Sequence, residues 1–132
     1  MYTYLPSLQP AVSACTVDIS KSSWCIDADK ILKSITKKTK AIIPVHLYGQ
    51  PVKNFDKLVR IAEKYSLYII EDCAQAVFAK YKDSYVGTIG DIATISFYPG
   101  KNLGAYGDAG VVISNNDELS KKVRMLANHG QE

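Results

Sequence analysis

The sequence predicts an α/β layer structure, one sheet of mostly parallel strands with helices packed against it, and three observations carry that prediction. A continuous apolar run, Ala41-Ile42-Ile43-Pro44-Val45-His46-Leu47, has the length of a buried strand and is broken by Gly49-Gln50-Pro51. Behind Asn54, read as a helix cap, Phe55, Leu58, Val59, Ala62 and Tyr65 recur at helical spacing along one face. A second apolar run, Leu67-Tyr68-Ile69-Ile70, then ends in Glu71-Asp72. Strand, helix and strand at this spacing form a βαβ unit, whose strands run parallel with a right-handed crossover.

The remaining elements follow in order. Residues Met1 to Val12 hold two prolines and no sustained periodicity, and read as irregular; Ala14 to Ile19 reads as extended. Asp27 reads as the cap of a helix carrying Ala28, Ile31, Leu32 and Ile35. Pro44 sits badly inside a strand, because it has no N–H for the ladder, and is better tolerated at an edge or a bulge. Phe78 to Val86, turning at Lys82-Asp83-Ser84, suggests a small hairpin. Ile92 to Phe97 reads as a third core strand, followed by a loop with Gly100, Gly104, Gly107 and Gly110, and Val111-Val112-Ile113 as a further strand. A last helix carries Leu119, Val123, Leu126 and Ala127, capped by Asn116 or Ser114.

Composition narrows the function class. At 132 residues, 47% hydrophobic and 22% charged, the chain suits one soluble globular domain. Its net charge of +3 is mild, and Lys37-Lys38-Thr39-Lys40 reads as a solvated connector, since no basic face with interleaved aromatics accompanies it. No nucleic-acid partner is expected. No apolar run reaches bilayer-spanning length, so no membrane contact is expected either. The three cysteines, Cys15, Cys25 and Cys73, lack paired or metal-type spacing and suggest reduced thiols in a cytoplasmic protein. Cys73 reads as a small buried filler.

In open α/β sheets, ligands bind outside the carboxyl ends of the strands. Asp72 follows one strand, Ser96 lies near the end of another, and Lys101 stands in the loop beyond it. An acid, a hydroxyl and an amine on one edge match what pyridoxal 5′-phosphate needs: a carboxylate for its ring nitrogen, donors for its phosphate and a lysine for its aldehyde. Singly, each residue has an ordinary explanation as a cap, a backbone partner or a solvated charge. Pattern alone leaves both readings open.

The motifs themselves are more specific. Glu71-Asp72-Cys73-Ala74-Gln75-Ala76, Ser96-Phe97-Tyr98-Pro99-Gly100-Lys101-Asn102-Leu103-Gly104 and Gly107-Asp108-Ala109-Gly110 closely resemble the DegT/DnrJ/EryC1/StrS family of sugar aminotransferases. Pro44 to Gln50 before them and Asn128-His129-Gly130-Gln131 after them also look like that family, so the resemblance runs in order from about Trp24 to Gln131. It implies the type I aminotransferase large domain, a three-layer sheet of which this chain would supply part. It also implies that Lys101 holds the cofactor aldehyde as a Schiff base, Asp72 pairs with the pyridine nitrogen, Gln75 contacts the ring or its 3-hydroxyl, and Ser96 binds the phosphate. His46, Tyr98 and Asn102 would line or support the pocket, with a core role equally open for His46. Ala109 stands where a second glycine is common in the family.

The implied chemistry is ping-pong transamination. An amino donor, in this family usually L-glutamate, would supply the amine to a keto deoxysugar linked to dTDP or UDP, in amino-sugar and polysaccharide biosynthesis. Leu47-Tyr48-Gly49-Gln50 with Tyr98-Pro99-Gly100 looks more like members that aminate a 3-keto than a 4-keto sugar, and Lys101 argues against a dehydratase branch that has histidine there. Residues 1–132 are expected to form a single partial domain. The family's N-terminal phosphate clamp, its C-terminal small domain and the residues that cross a homodimer interface would lie outside it, and Met1 to about Thr16 match the family poorly. The competing expectation is a truncated remnant, forming dimers or holding cofactor without turnover; open reading frames flanking the coding sequence would argue against it.

Overall fold

The computed structural model describes residues 13–130. The reading of Met1 to Val12 as irregular lies outside these residues, as does Gln131. The described elements are α1 (Ala28–Ile31), β1 (Ala41–Ile42), α2 (Phe55–Tyr65), β2 (Tyr68–Asp72), β3 (Lys80–Tyr81), β4 (Ser84–Tyr85), β5 (Ile92–Ser96), β6 (Gly110–Ile113) and α3 (Asp117–Ala127). Four strands form one sheet in the order β1-β2-β5-β6, with β1, β2 and β5 mutually parallel and β6 antiparallel to β5. The βαβ unit is present as expected. The fold is α/β with a mostly parallel sheet.

The first strand is shorter than its apolar run, and Pro44 is the reason. Regular pairing stops after Ile42, because a proline at position 44 cannot donate. Contact with β2 resumes around the proline. The Asp72 N–H donates to the Pro44 carbonyl at 2.9 Å, and the His46 N–H donates to the Asp72 carbonyl at 3.0 Å. A single 3-10 turn, Leu47–Gly49, then lifts the chain off the sheet edge. Among the described residues, β1 and β6 are the two edge strands of this sheet.

α1 also ends early, at Ile31 instead of near Ile35. Beyond it the Thr36 N–H donates to Thr39 Oγ1 and the Lys38 N–H to Thr36 Oγ1, local bonds that compete with helix. The expected extended stretch from Ala14 to Ile19 is reduced to one bridge, Ile19 to Ile26. The hairpin forms with Tyr81 opposite Ser84 and Lys80 opposite Tyr85, and Lys82 takes φ +54° in the tight turn.

One sheet face is well covered. Ala28 and Ile31 of α1, and Phe55, Leu58, Ile61 and Ala62 of α2, pack with Ile42 and Ile69 of the sheet. Ile61 is buried and Tyr65 is exposed, the reverse of the expected face at that end of α2. A second cluster, Cys73, Ala76, Val86 and Ala93, continues the core toward the carboxyl ends of β2 and β5. Cys73 is the filler residue the sequence suggested: burial, then the charges of Glu71 and Asp72, push its thiol up to about 12. Alternation along β1 and β2 places Ile43, Val45 and Tyr68 on the opposite face, where all three are exposed. Among the described residues, no helix is long and apolar enough to cross a membrane.

Candidate active site

A cleft of about 450 Å³ opens beyond the carboxyl ends of the parallel strands, where Tyr48, Gly49, Gln75, Lys101 and Asn102 meet Val77, Phe78 and Ala79. Its size lies within the range of roughly 300–1,000 Å³ that small-molecule sites occupy. Three of the sequence-predicted residues, Gln75, Lys101 and Asn102, thus come together from two separate loops.

Local chain geometry explains how they get there. After β5, the Phe97 N–H donates to the Ala109 carbonyl and the Ala105 N–H to the Phe97 carbonyl, each at 2.8 Å. These bonds fold residues 97–109 back over the strand end. The Lys101 N–H donates to the Tyr98 carbonyl at 2.8 Å, so Lys101 leaves a tight turn with its side chain half-buried. Gly104 is needed here for space: a Cβ would lie 2.5 Å from the Pro99 carbonyl oxygen. Across the cleft, the Tyr48 N–H donates to Gln75 Oε1 at 3.4 Å. Two bulky cleft residues hold left-handed backbone, Tyr48 at φ +55° and Phe78 at φ +62°. Both rings are largely exposed, at 82% and 76%. Such strain in aromatic residues concentrates at functional sites.

Asp72 and Ser96 do not line the cleft itself. Asp72 pairs in register with Thr94, and Ser96 follows two residues later on the same sheet face, about 7 Å further along β5. Both therefore stand on one face at the carboxyl edge. Asp72 Oδ1 accepts from the Ala74 N–H at 3.0 Å, which turns the chain toward Gln75. Ser96 Oγ accepts from the Tyr98 N–H at 3.3 Å, which leaves its O–H to donate elsewhere. Tyr98 is exposed and meets the site through its backbone bonds to Ser96 and Lys101.

His46 lies elsewhere. It is fully buried in the core, with its ring edge-on to Phe55 at 5.3 Å, and does not touch the cleft. Its partner is Glu71, which the sequence reading treated only as a strand end. Glu71 is equally buried, and its carboxylate accepts from His46 Nε2 at 2.9 Å and from the backbone N–H groups of Gly87, Ile89 and Gly90 at 2.8, 2.9 and 2.6 Å. Burial, the largest single influence, pushes this carboxyl up, but the four donors together hold it below its ordinary value. Parity could have revealed it. Glu71 shares the pleat of Ile69, so it faces the core, and a carboxylate facing a core needs donors.

The donor set suits pyridoxal phosphate: a lysine amine and an amide on a cleft, with a carboxylate and a free hydroxyl on the adjoining sheet face. Comparison with known proteins gives the same direction. The model of the DegT/DnrJ/EryC1/StrS aminotransferase family matches residues 3–132. A protein of Geobacillus stearothermophilus called a pleiotropic regulatory protein is 49% identical over 116 residues, 88% of this chain and 31% of that protein. UDP-N-acetyl-3-dehydro-α-D-glucosamine 3-aminotransferase of Acidithiobacillus ferrooxidans is 46% identical over 114 residues, 86% of this chain and 31% of its own length. The crystal structure of DesV from S. venezuelae, in complex with a ketimine intermediate, superimposes with a TM-score of 0.84 at 41% identity, over 88% of this chain and 31% of that one. The chain thus spans under a third of the length of these relatives. With motifs, sheet topology and family match in agreement, it belongs to the DegT/DnrJ/EryC1/StrS aminotransferase family.

Proposed function

We propose that this chain carries the cofactor-binding centre of an enzyme that transfers an amino group from an amino acid to a nucleotide-linked keto sugar, using pyridoxal 5′-phosphate. The observation that carries the reading is the meeting of Lys101 and Gln75 across one cleft at the carboxyl edge of a parallel sheet. When bound, pyridoxal phosphate supplies an aldehyde carbon that captures amines and a protonated ring that accepts the electron pair left on the amino acid's α-carbon.

Each polar residue then has one task. The Lys101 amine would hold the aldehyde carbon and, when free, would take the proton from the donor's α-carbon. The Asp72 carboxylate keeps the ring nitrogen protonated. The Ser96 hydroxyl donates to the phosphate, and Gln75 donates to the ring's oxygen substituent. Asn102 and Tyr98 shape the cleft around Lys101.

For the acceptor, the reading is a 3-keto deoxyhexose on UDP or dTDP, and for the donor L-glutamate. The printed name of the A. ferrooxidans relative, an aminotransferase for a UDP-linked 3-dehydro sugar, supports the 3-position. The ketimine in the DesV structure supports amine–carbonyl chemistry at the equivalent centre. The reading includes a cytoplasmic homodimer as the working form. The test is turnover of 3-keto and 4-keto nucleotide sugars with L-glutamate by the whole protein and its Lys101→Ala variant. Turnover of the 3-keto sugar that disappears in the variant is expected; substantial transamination without Lys101 contradicts the assignment.

A further inference from the structure

Off the cleft, His46, Glu71 and Cys73 come together in the core, with one ligand atom from each lying within 4.8 Å of the others. Its bonding excludes a metal centre. Both Glu71 oxygens already accept two hydrogen bonds each, and both ring nitrogens of His46 are engaged, Nε2 with Glu71 and Nδ1 accepting from the Val52 N–H at 3.1 Å. What the cluster does is geometric.

Because His46 Nδ1 is occupied as an acceptor, the proton sits on Nε2 and is donated to Glu71. One ring therefore ties residue 46 to residue 52 and both to β2. Between them runs the Leu47–Gly49 turn, which presents Tyr48 and Gly49 to the cleft. The Tyr48 N–H takes Gln75 Oε1, leaving the amide NH2 of Gln75 to donate. Filling a core does not require any of this. A buried carboxylate costs desolvation that apolar residues of similar volume would not, so a carboxylate kept here and bonded to a neutral imidazole speaks for orientation. We infer that the buried Glu71–His46 pair is a positioning device for the cleft, fixing the Tyr48–Gly49 lip and, through the Tyr48 N–H, turning Gln75 so that it offers a donor to the ligand.

The inference rests on the cleft being the pyridoxal phosphate site, and its test separates the two. His46→Gln keeps one acceptor and one donor on the side chain; His46→Leu removes both. In the whole cofactor-free protein, amide hydrogen exchange over residues 47–52 should quicken in His46→Leu and stay near wild type in His46→Gln. Titration with pyridoxal phosphate should show about tenfold weaker binding for His46→Leu, the scale of one lost hydrogen bond, and rescue by His46→Gln. Wild-type exchange and wild-type affinity in His46→Leu overturn the inference. Should His46→Leu not fold, Glu71→Gln, which leaves two N–H donors facing an NH2 group, takes its place. Quickened exchange over residues 47–52 and about tenfold weaker binding are expected, and wild-type exchange with wild-type affinity overturns the inference equally. A wild-type protein that takes up no cofactor contradicts the proposed function instead, while the exchange result still decides the role of the pair.

Discussion

The two long helices, α2 and α3, have the same length of eleven residues and opposite sources of stability. α2 buries Phe55, Leu58, Ile61 and Ala62 against the sheet, yet its cap position, Asn54, has φ +56° and makes no side-chain bond to the helix. α3 buries none of its residues, with Leu126 62% exposed, yet Asn116 in extended backbone accepts from both the Glu118 and Leu119 N–H groups. Among the described residues, one helix is held by packing and the other chiefly by its cap. Amphipathic pattern and capping residue are independent signals, and each helix fulfils only one of them.

Substitutions can break or sharpen that contrast. Leu58→Ala in α2 should cost about 2–5 kcal/mol, because a fully buried side chain leaves a cavity, measurable by chemical denaturation. Next comes Glu71→Gln, at about 2–3 kcal/mol at neutral pH. Glutamine can accept at only one of the two oxygens, so two N–H donors would face an NH2 group. The same variant has a pH signature. The Glu71 carboxyl is depressed below its ordinary 4.5 in the folded state, so its contribution is complete above that value and lost as pH falls through the lower folded-state value. Wild type should lose stability on this limb, and Glu71→Gln should run flatter over it.

Smaller effects complete the contrast. Asn116→Ala should cost about 1 kcal/mol, the loss of a cap that holds two N–H groups, whereas Asn54→Gly, which suits the left-handed φ and removes no capping bond, should cost no more than about a few tenths. Leu126→Ala should stay within about 0.5 kcal/mol among the described residues, since it removes little buried surface. A large loss at Leu126 in the whole protein would show that segments outside residues 13–130 pack on α3.

What was legible in the sequence follows the same division. The βαβ unit was plain because apolar periodicity is a local property that packing then uses. Asn116 was one of two candidates for the last cap. The structure uses Asn116, while Ser114 Oγ accepts from the Asn116 N–H and donates to the Asp91 carbonyl. Asn54 failed as a side-chain cap because capping depends on backbone conformation, and its left-handed φ is imposed by the turn before α2. The run from Ala41 to Leu47 read as one strand because composition does not show where the ladder needs an N–H that Pro44 lacks. At the site, Gln75, Lys101 and Asn102 were placed on one cleft by loop folding that motifs suggested but could not dictate. Glu71 was overlooked because an acid at a strand end ordinarily meets water, and its four donors come from positions up to twenty-five residues away.

The central claim is that one amine, Lys101, holds the cofactor. Borohydride reduction of the whole protein in the presence of pyridoxal phosphate, followed by peptide mass mapping, addresses it directly. A single stable adduct on Lys101, absent from Lys101→Ala, is the predicted result. Label scattered over surface lysines such as Lys37 and Lys38, with Lys101 unmodified, would contradict it.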